Sequence, residues 1–119
     1  MTVLLVALGG AVGTLARYGL GKTVHADALP WLTVAINIAG SFLLGFLIAV
    51  GDWFSPEVRT SLAIGVLGGF TTFSTFSADV FLDLDAGRTG EALAYVVVSV
   101  AGGVVAAGSG YFLGRAIAH

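Results

Sequence analysis

Thirteen consecutive positions, Gly65 to Ser77, hold three glycines, five hydroxyl side chains and three phenylalanines. Glycine and β-branched threonine are poor helix formers, so helical hydrogen bonding is weakest here. Two chemistries are open to the stretch. One is a glycine-rich packing surface whose hydroxyls bond back to carbonyls four residues earlier. The other is a lapse in the helix that frees carbonyl oxygens, which commonly coordinate cations such as Na⁺. Phe70, Phe73 and Phe76 recur every three residues and would share one side of a helix. That side suits packing. It also suits an anion path, because the edge of an aromatic ring carries positive potential without a full charge.

Other neutral polar groups lie in otherwise apolar sequence. Thr33, Asn37 and Ser41 are four apart, as are Tyr95 and Ser99, so each set lies along one helix face. Neutral donors can replace the water around an anion without trapping it, which a lysine or arginine in mid-path would do. They can equally bond helix to helix, and both roles stay open for Asn37 and Ser99. Cysteine is absent, which excludes disulfides and thiolate chemistry. His25 and His119 have no neighbours that suggest a metal site and read as solvated. There is no nucleophile–base pair, metal-ligand cluster or phosphate loop, so the chain does not read as an enzyme.

The elements carrying these residues follow from composition. The chain has 119 residues, 57% hydrophobic and 10% charged, with net charge −2. Soluble domains carry about 25% charged residues, so most of this surface must meet lipid or a partner. Four stretches lack charge: Thr2–Ala16, Ala28–Gly51, Thr60–Ala78 and Ala92–Gly114. A helix needs about 20 apolar residues to cross the ~30 Å hydrocarbon core. The first stretch spans only by continuing past Arg17, which either snorkels or faces a watery cavity. The expected fold is an all-α membrane protein, one domain over residues 1–119 with helices about 2–21, 29–51, 58–81 and 91–115. Charged residues 79–91 form a connection, and Trp31 and Trp53 flank the second helix as interfacial anchors. The first apolar run has no basic residue before it, unlike a signal peptide, so it is expected to be retained.

Two of these features concern orientation and depth. The midpoint of the third stretch, residue 69, puts the weak helix near the bilayer centre, where non-helical backbone survives only inside protein or beside a polar cavity. Four spans leave Arg59 and Arg115 on one side and Arg17, Lys22 and Arg88 on the other. Positive charge sets orientation, and this bias is nearly zero. Such a chain could insert both ways up and pair as an antiparallel, dual-topology dimer.

Three motifs, in order along the whole chain, resemble the Fluc (CrcB) family of fluoride channels: Gly9, Gly10, Gly13, Arg17 and Tyr18; Asn37, Gly40, Ser41, Phe42 and Gly45; and the run Gly68-Gly69-Phe70-Thr71-Thr72-Phe73-Ser74-Thr75-Phe76. The resemblance implies a dual-topology dimer with two pores that passively exports fluoride across the cell membrane and lowers its cytoplasmic toxicity. It implies a structural, non-transported Na⁺ at the dimer centre, held by the backbone carbonyls of Gly68 and Thr71. Phe73 and Phe76 match the paired pore phenylalanines, and Asn37 matches the pore asparagine. Tyr95 and Ser99 fit a polar track along the fourth helix, although Gly103 stands where some members have a hydroxyl. Arg17 matches a basic vestibule residue. The expected partners are a second copy of the chain, fluoride and the bilayer, or a paralogue in a heterodimer. Two rivals are a small dual-topology multidrug exporter, which would need a carboxylate that Thr2–Gly21 lacks, and a non-conducting heterodimer subunit.

Overall fold

The computed structural model describes residues 1–118; the reading of His119 lies outside the described residues. Helix α1 spans Thr2–Gly21 and runs through Arg17 without interruption. A single-turn helix at Ala26–Ala28 leads into α2, Leu29–Ala49, with Pro30 in its first turn, where the missing N–H is not needed. Ser55 caps the next helix by accepting from the Val58 amide. Helix α3 covers residues 56–70: an opening turn Pro56–Thr60, a π-helical stretch Ser61–Leu67 and a last turn Gly68–Phe70. Helix α4, Phe73–Asp85, and helix α5, Thr89–Ala118, complete the chain. Four stretches are long and apolar enough to cross a membrane: Thr2–Gly21, Ala26–Ala49, Pro56–Asp85 and Thr89–Ala118. The chain is a multi-pass membrane protein.

Between α3 and α4 the backbone is extended at Thr71 (φ −83°, ψ 160°) and Thr72 (φ −151°, ψ 118°). The threonines, and not the glycines before them, leave the helix. Thr72 then caps α4, its Oγ1 accepting from the Thr75 amide at 3.3 Å.

The connection expected at residues 79–91 is much shorter. Helix α4 continues through Asp79 and Asp83 to Asp85 because Val80, Phe81, Leu82 and Leu84 keep its apolar pattern. The turn closes on Gly87 at φ 80°, a conformation that favours glycine. Arg88 ties it down, reaching Asp83 Oδ1 from both Nε (3.1 Å) and Nη2 (2.9 Å).

Two helix pairs pack backbone to backbone. In the first, α1 lies on α3: a Cβ on Gly13 would collide with the Val66 carbonyl, and one on Gly69 would sit 2.7 Å from Gly10 O. In the second, α2 lies on α5, where Gly45 meets Ala107 and Gly110 meets Phe42 equally closely. Small residues permit such approach where lipid gives no hydrophobic drive between helices. The buried apolar core is small, with Val34, Ile36, Leu47, Val50, Ala92 and Tyr95, and the outward faces are apolar, with Val3, Val104 and Phe112 exposed. The extended threonines join the pairs: the Thr71 methyl fills the space over Gly40 on α2.

Candidate functional site

A cavity of about 330 Å³ opens beside the extended threonines. Among the residues singled out in the sequence it brings together Asn37, Gly40 and Ser41 from α2, Gly68, Thr71 and Thr72 at and after the end of α3, Phe73 and Phe76 from α4, and Ser99 from α5. Leu44, Leu67 and Val100 add apolar wall, and among the described residues no charged side chain lines it.

Asn37 uses both ends of its amide on the backbone of one residue. Its Nδ2 donates to Thr72 O at 2.9 Å, and its Oδ1 accepts from Thr72 N at 2.8 Å. One Nδ2 hydrogen remains available. Both readings left open for Asn37, structural bond and cavity donor, therefore fit the same side chain. Ser99 differs. Its Oγ is buried and has no hydrogen-bond partner among the described residues. A buried hydroxyl left unpaired costs about 1–3 kcal/mol, so a water or a polar ligand beside it would be stabilised.

The phenylalanines stand side by side, centroids 5.9 Å apart and planes tilted by 53°. Phe73 is 78% exposed in the single chain. Tyr95 does not line the cavity. It lies behind it, its ring stacked on Phe76 at 5.0 Å and met edge-on by Trp31. The Tyr95 hydroxyl donates to Asp79 Oδ2 at 3.4 Å. Gly103 does not leave a polar gap, because Ser41 Oγ from α2 comes within 3.6 Å of where its Cβ would be.

Arg17 lies outside this cavity. It lines a second one of about 390 Å³, together with Lys22, Thr33, Thr72, Thr75 and Asp79. Thr72 borders both cavities and forms part of the wall between them. The Arg17 Nε donates to Gly69 O at 3.3 Å, a contact that helix spacing does not reveal. Asp79 is also absent from the residues that the sequence singles out, because the charge-free segment ends before it. A signal is present all the same: Phe73, Phe76 and Asp79 continue one three-residue spacing.

The carbonyls around the interruption divide into used and unused. Leu67 O accepts from Thr71 N and Thr71 Oγ1, Gly69 O from Arg17, and Thr72 O from Asn37. Among the described residues, no side chain or turn amide donates to Gly68 O, Phe70 O or Thr71 O.

Residues 4–111 match the family described as CrcB-like protein, Camphor Resistance (CrcB). The chain belongs to the CrcB family. Its CrcB relatives include the fluoride-specific ion channel FluC of Thermus thermophilus, 46% identical over 119 residues, covering 96% of this chain and 94% of the relative. The protein of that name from a Chelativorans species is 46% identical and covers 97% of both chains. That from Rhizobium meliloti is 45% identical over 97% of both. The CrcB match runs from α1 into α5 and so includes every residue of both cavities.

Proposed function

We propose that this chain forms a fluoride-selective channel that exports fluoride passively across the cell membrane and so lowers its cytoplasmic toxicity. The buried Ser99 hydroxyl, which has no partner among the described residues and lies in a cavity that none of their charged side chains lines, beside Asn37 and the phenylalanines, carries the reading. Fluoride is small and strongly hydrated, and it passes only where its water is replaced. Ser99 offers a free hydroxyl, Asn37 its remaining N–H, and Phe73 and Phe76 the positive edges of their rings. Tyr95 holds the Phe76 ring from behind. These groups are weak donors singly, so the ion can leave as readily as it enters. Arg17 and Lys22 would draw anions into the second cavity, which serves as the vestibule.

The working unit in this reading is an antiparallel, dual-topology homodimer with two pores. The exposed Phe73 and the near-balanced basic residues on the two sides support it. The interruption at Thr71–Thr72 then falls near the bilayer midplane, beside its counterpart. Gly68 O and Thr71 O, which no side chain among the described residues donates to, lie at the electronegative end of α3 and fit a small cation. A structural sodium ion bound there would add fixed positive potential near the pores.

Purified protein in liposomes loaded with fluoride tests the function. Fluoride efflux on an ion-selective electrode, with no chloride efflux under the same gradient, is the expected result. Absent fluoride flux, or equal chloride flux, overturns it.

A further inference from the structure

We propose that Arg17 is a positioning residue for the interruption between α3 and α4, acting through its Nε–H on Gly69 O, in addition to its charge in the vestibule. The inference deepens the channel reading and rests on it for its link to conduction.

The observations lie along one seam. Gly10, Thr14 and Arg17 follow each other on one face of α1. Gly69 lies flush against the first two: a Cβ there would be 2.7 Å from Gly10 O, 3.0 Å from Thr14 Oγ1 and 3.2 Å from Thr14 N. The same contact between backbones continues back along α3, where a Cβ on Gly65 would lie 2.8 Å from Val6 O. The last turn of α3 is therefore fixed on α1, and Arg17 is the next residue of that face beyond the point where α3 ends. Its Nε meets Gly69 O at 3.3 Å.

That bond has two effects. Gly69 O is one of the carbonyls freed because α3 stops after Phe70, and a guanidinium N–H there satisfies it and opposes the negative end of the helix. It also withdraws Gly69 O from any ion, whereas Gly68 O, Phe70 O and Thr71 O receive no side-chain or turn-amide donor among the described residues. On the far side of the interruption Asn37, from α2, holds the N–H and the C=O of Thr72. Arg17 and Asn37, from different helix pairs, thus fix the two ends of the extended segment. Among the described residues the Arg17 terminal nitrogens make no hydrogen bond, so bond and charge are separable.

Two substitutions separate them. In glutamine the side-chain nitrogen stands the same number of bonds from Cα as Nε does in arginine, so Arg17→Gln keeps the donor and removes the charge. Arg17→Lys keeps the charge, but a carbon occupies the donor position. The full-length protein is labelled with ¹³C at threonine methyls, and Thr71 and Thr72 are assigned by substitution. Fluoride efflux is measured on the same preparations. Arg17→Gln is expected to leave the Thr71 and Thr72 methyl signals in place and to lower flux severalfold at low fluoride. Arg17→Lys is expected to shift both signals and to lower flux about tenfold at every fluoride concentration, the scale of one lost charge-assisted bond. Arg17→Met, which has the stem and no donor, replaces Arg17→Lys if that protein cannot be purified, and its signals are expected to shift likewise. Unshifted signals in the Lys or Met variant overturn the proposal, as does a Gln variant that shifts like them. The methyl readout requires no transport. A chain that fails to carry fluoride but shows this pattern refutes the channel reading alone.

Discussion

Ser99 and Asn37 both read from the sequence as polar residues on apolar helices, yet the fold uses them differently. Ser99 Oγ is buried and unpartnered among the described residues, so removing it deletes no bond there. Ser99→Ala should leave the thermal midpoint within about 2 °C of wild type or raise it, while fluoride flux falls about tenfold. A clear loss of stability with normal flux would make Ser99 structural. Asn37 holds a backbone N–H and a C=O that have left the helix. Asn37→Ala should destabilise by about 2 kcal/mol or more, since both groups lose a partner in a low-dielectric setting; chemical denaturation in detergent checks it. Among the aromatics, Phe76→Ile should reduce flux more than Phe81→Ile. Phe76 lines the cavity and stacks on Tyr95, whereas Phe81 is exposed on the outer face.

Helix boundaries are largely legible because apolar runs between charges set their lengths. The exceptions have local causes. Charge alone assigns Asp79 and Asp83 to a connection. A carboxylate can stay on a helix when a partner is in reach, here the Tyr95 hydroxyl for Asp79 and Arg88 for Asp83. The glycines near the end of α3 signal weak helix, but their main structural use is close approach to α1. That contact depends on which faces meet, and the same rule separates two glycines of α5. Gly110 touches the Phe42 backbone, whereas a Cβ on Gly108 would meet nothing within 4 Å. Gly108→Ala should therefore raise stability by about 0.5–1 kcal/mol through the unfolded state and helix propensity. Gly110→Ala should lower it by more than that and loosen the α2–α5 pair. Thermal melts of the two variants decide this, and equal melting points would refute the packed seam.

For the whole molecule, the proposed sodium ion and second copy make a joint prediction. Dialysis into sodium-free buffer should stop fluoride flux and lower the midpoint of dimer dissociation; unaltered flux would remove the cation from the mechanism. What the sequence determined was membrane residence, four spans and the residue types at the site, because length, hydropathy and i, i+4 spacing are local properties of the chain. The resemblance in three motifs likewise needed only linear order. What the tertiary structure decided was the pairing of polar groups. Asn37 meets Thr72 and Arg17 meets Gly69 across 35 and 52 residues, and Ser99 meets no partner among the described residues. Those outcomes depend on how closely two glycine-lined seams let the helices approach, and no spacing along one helix records that distance.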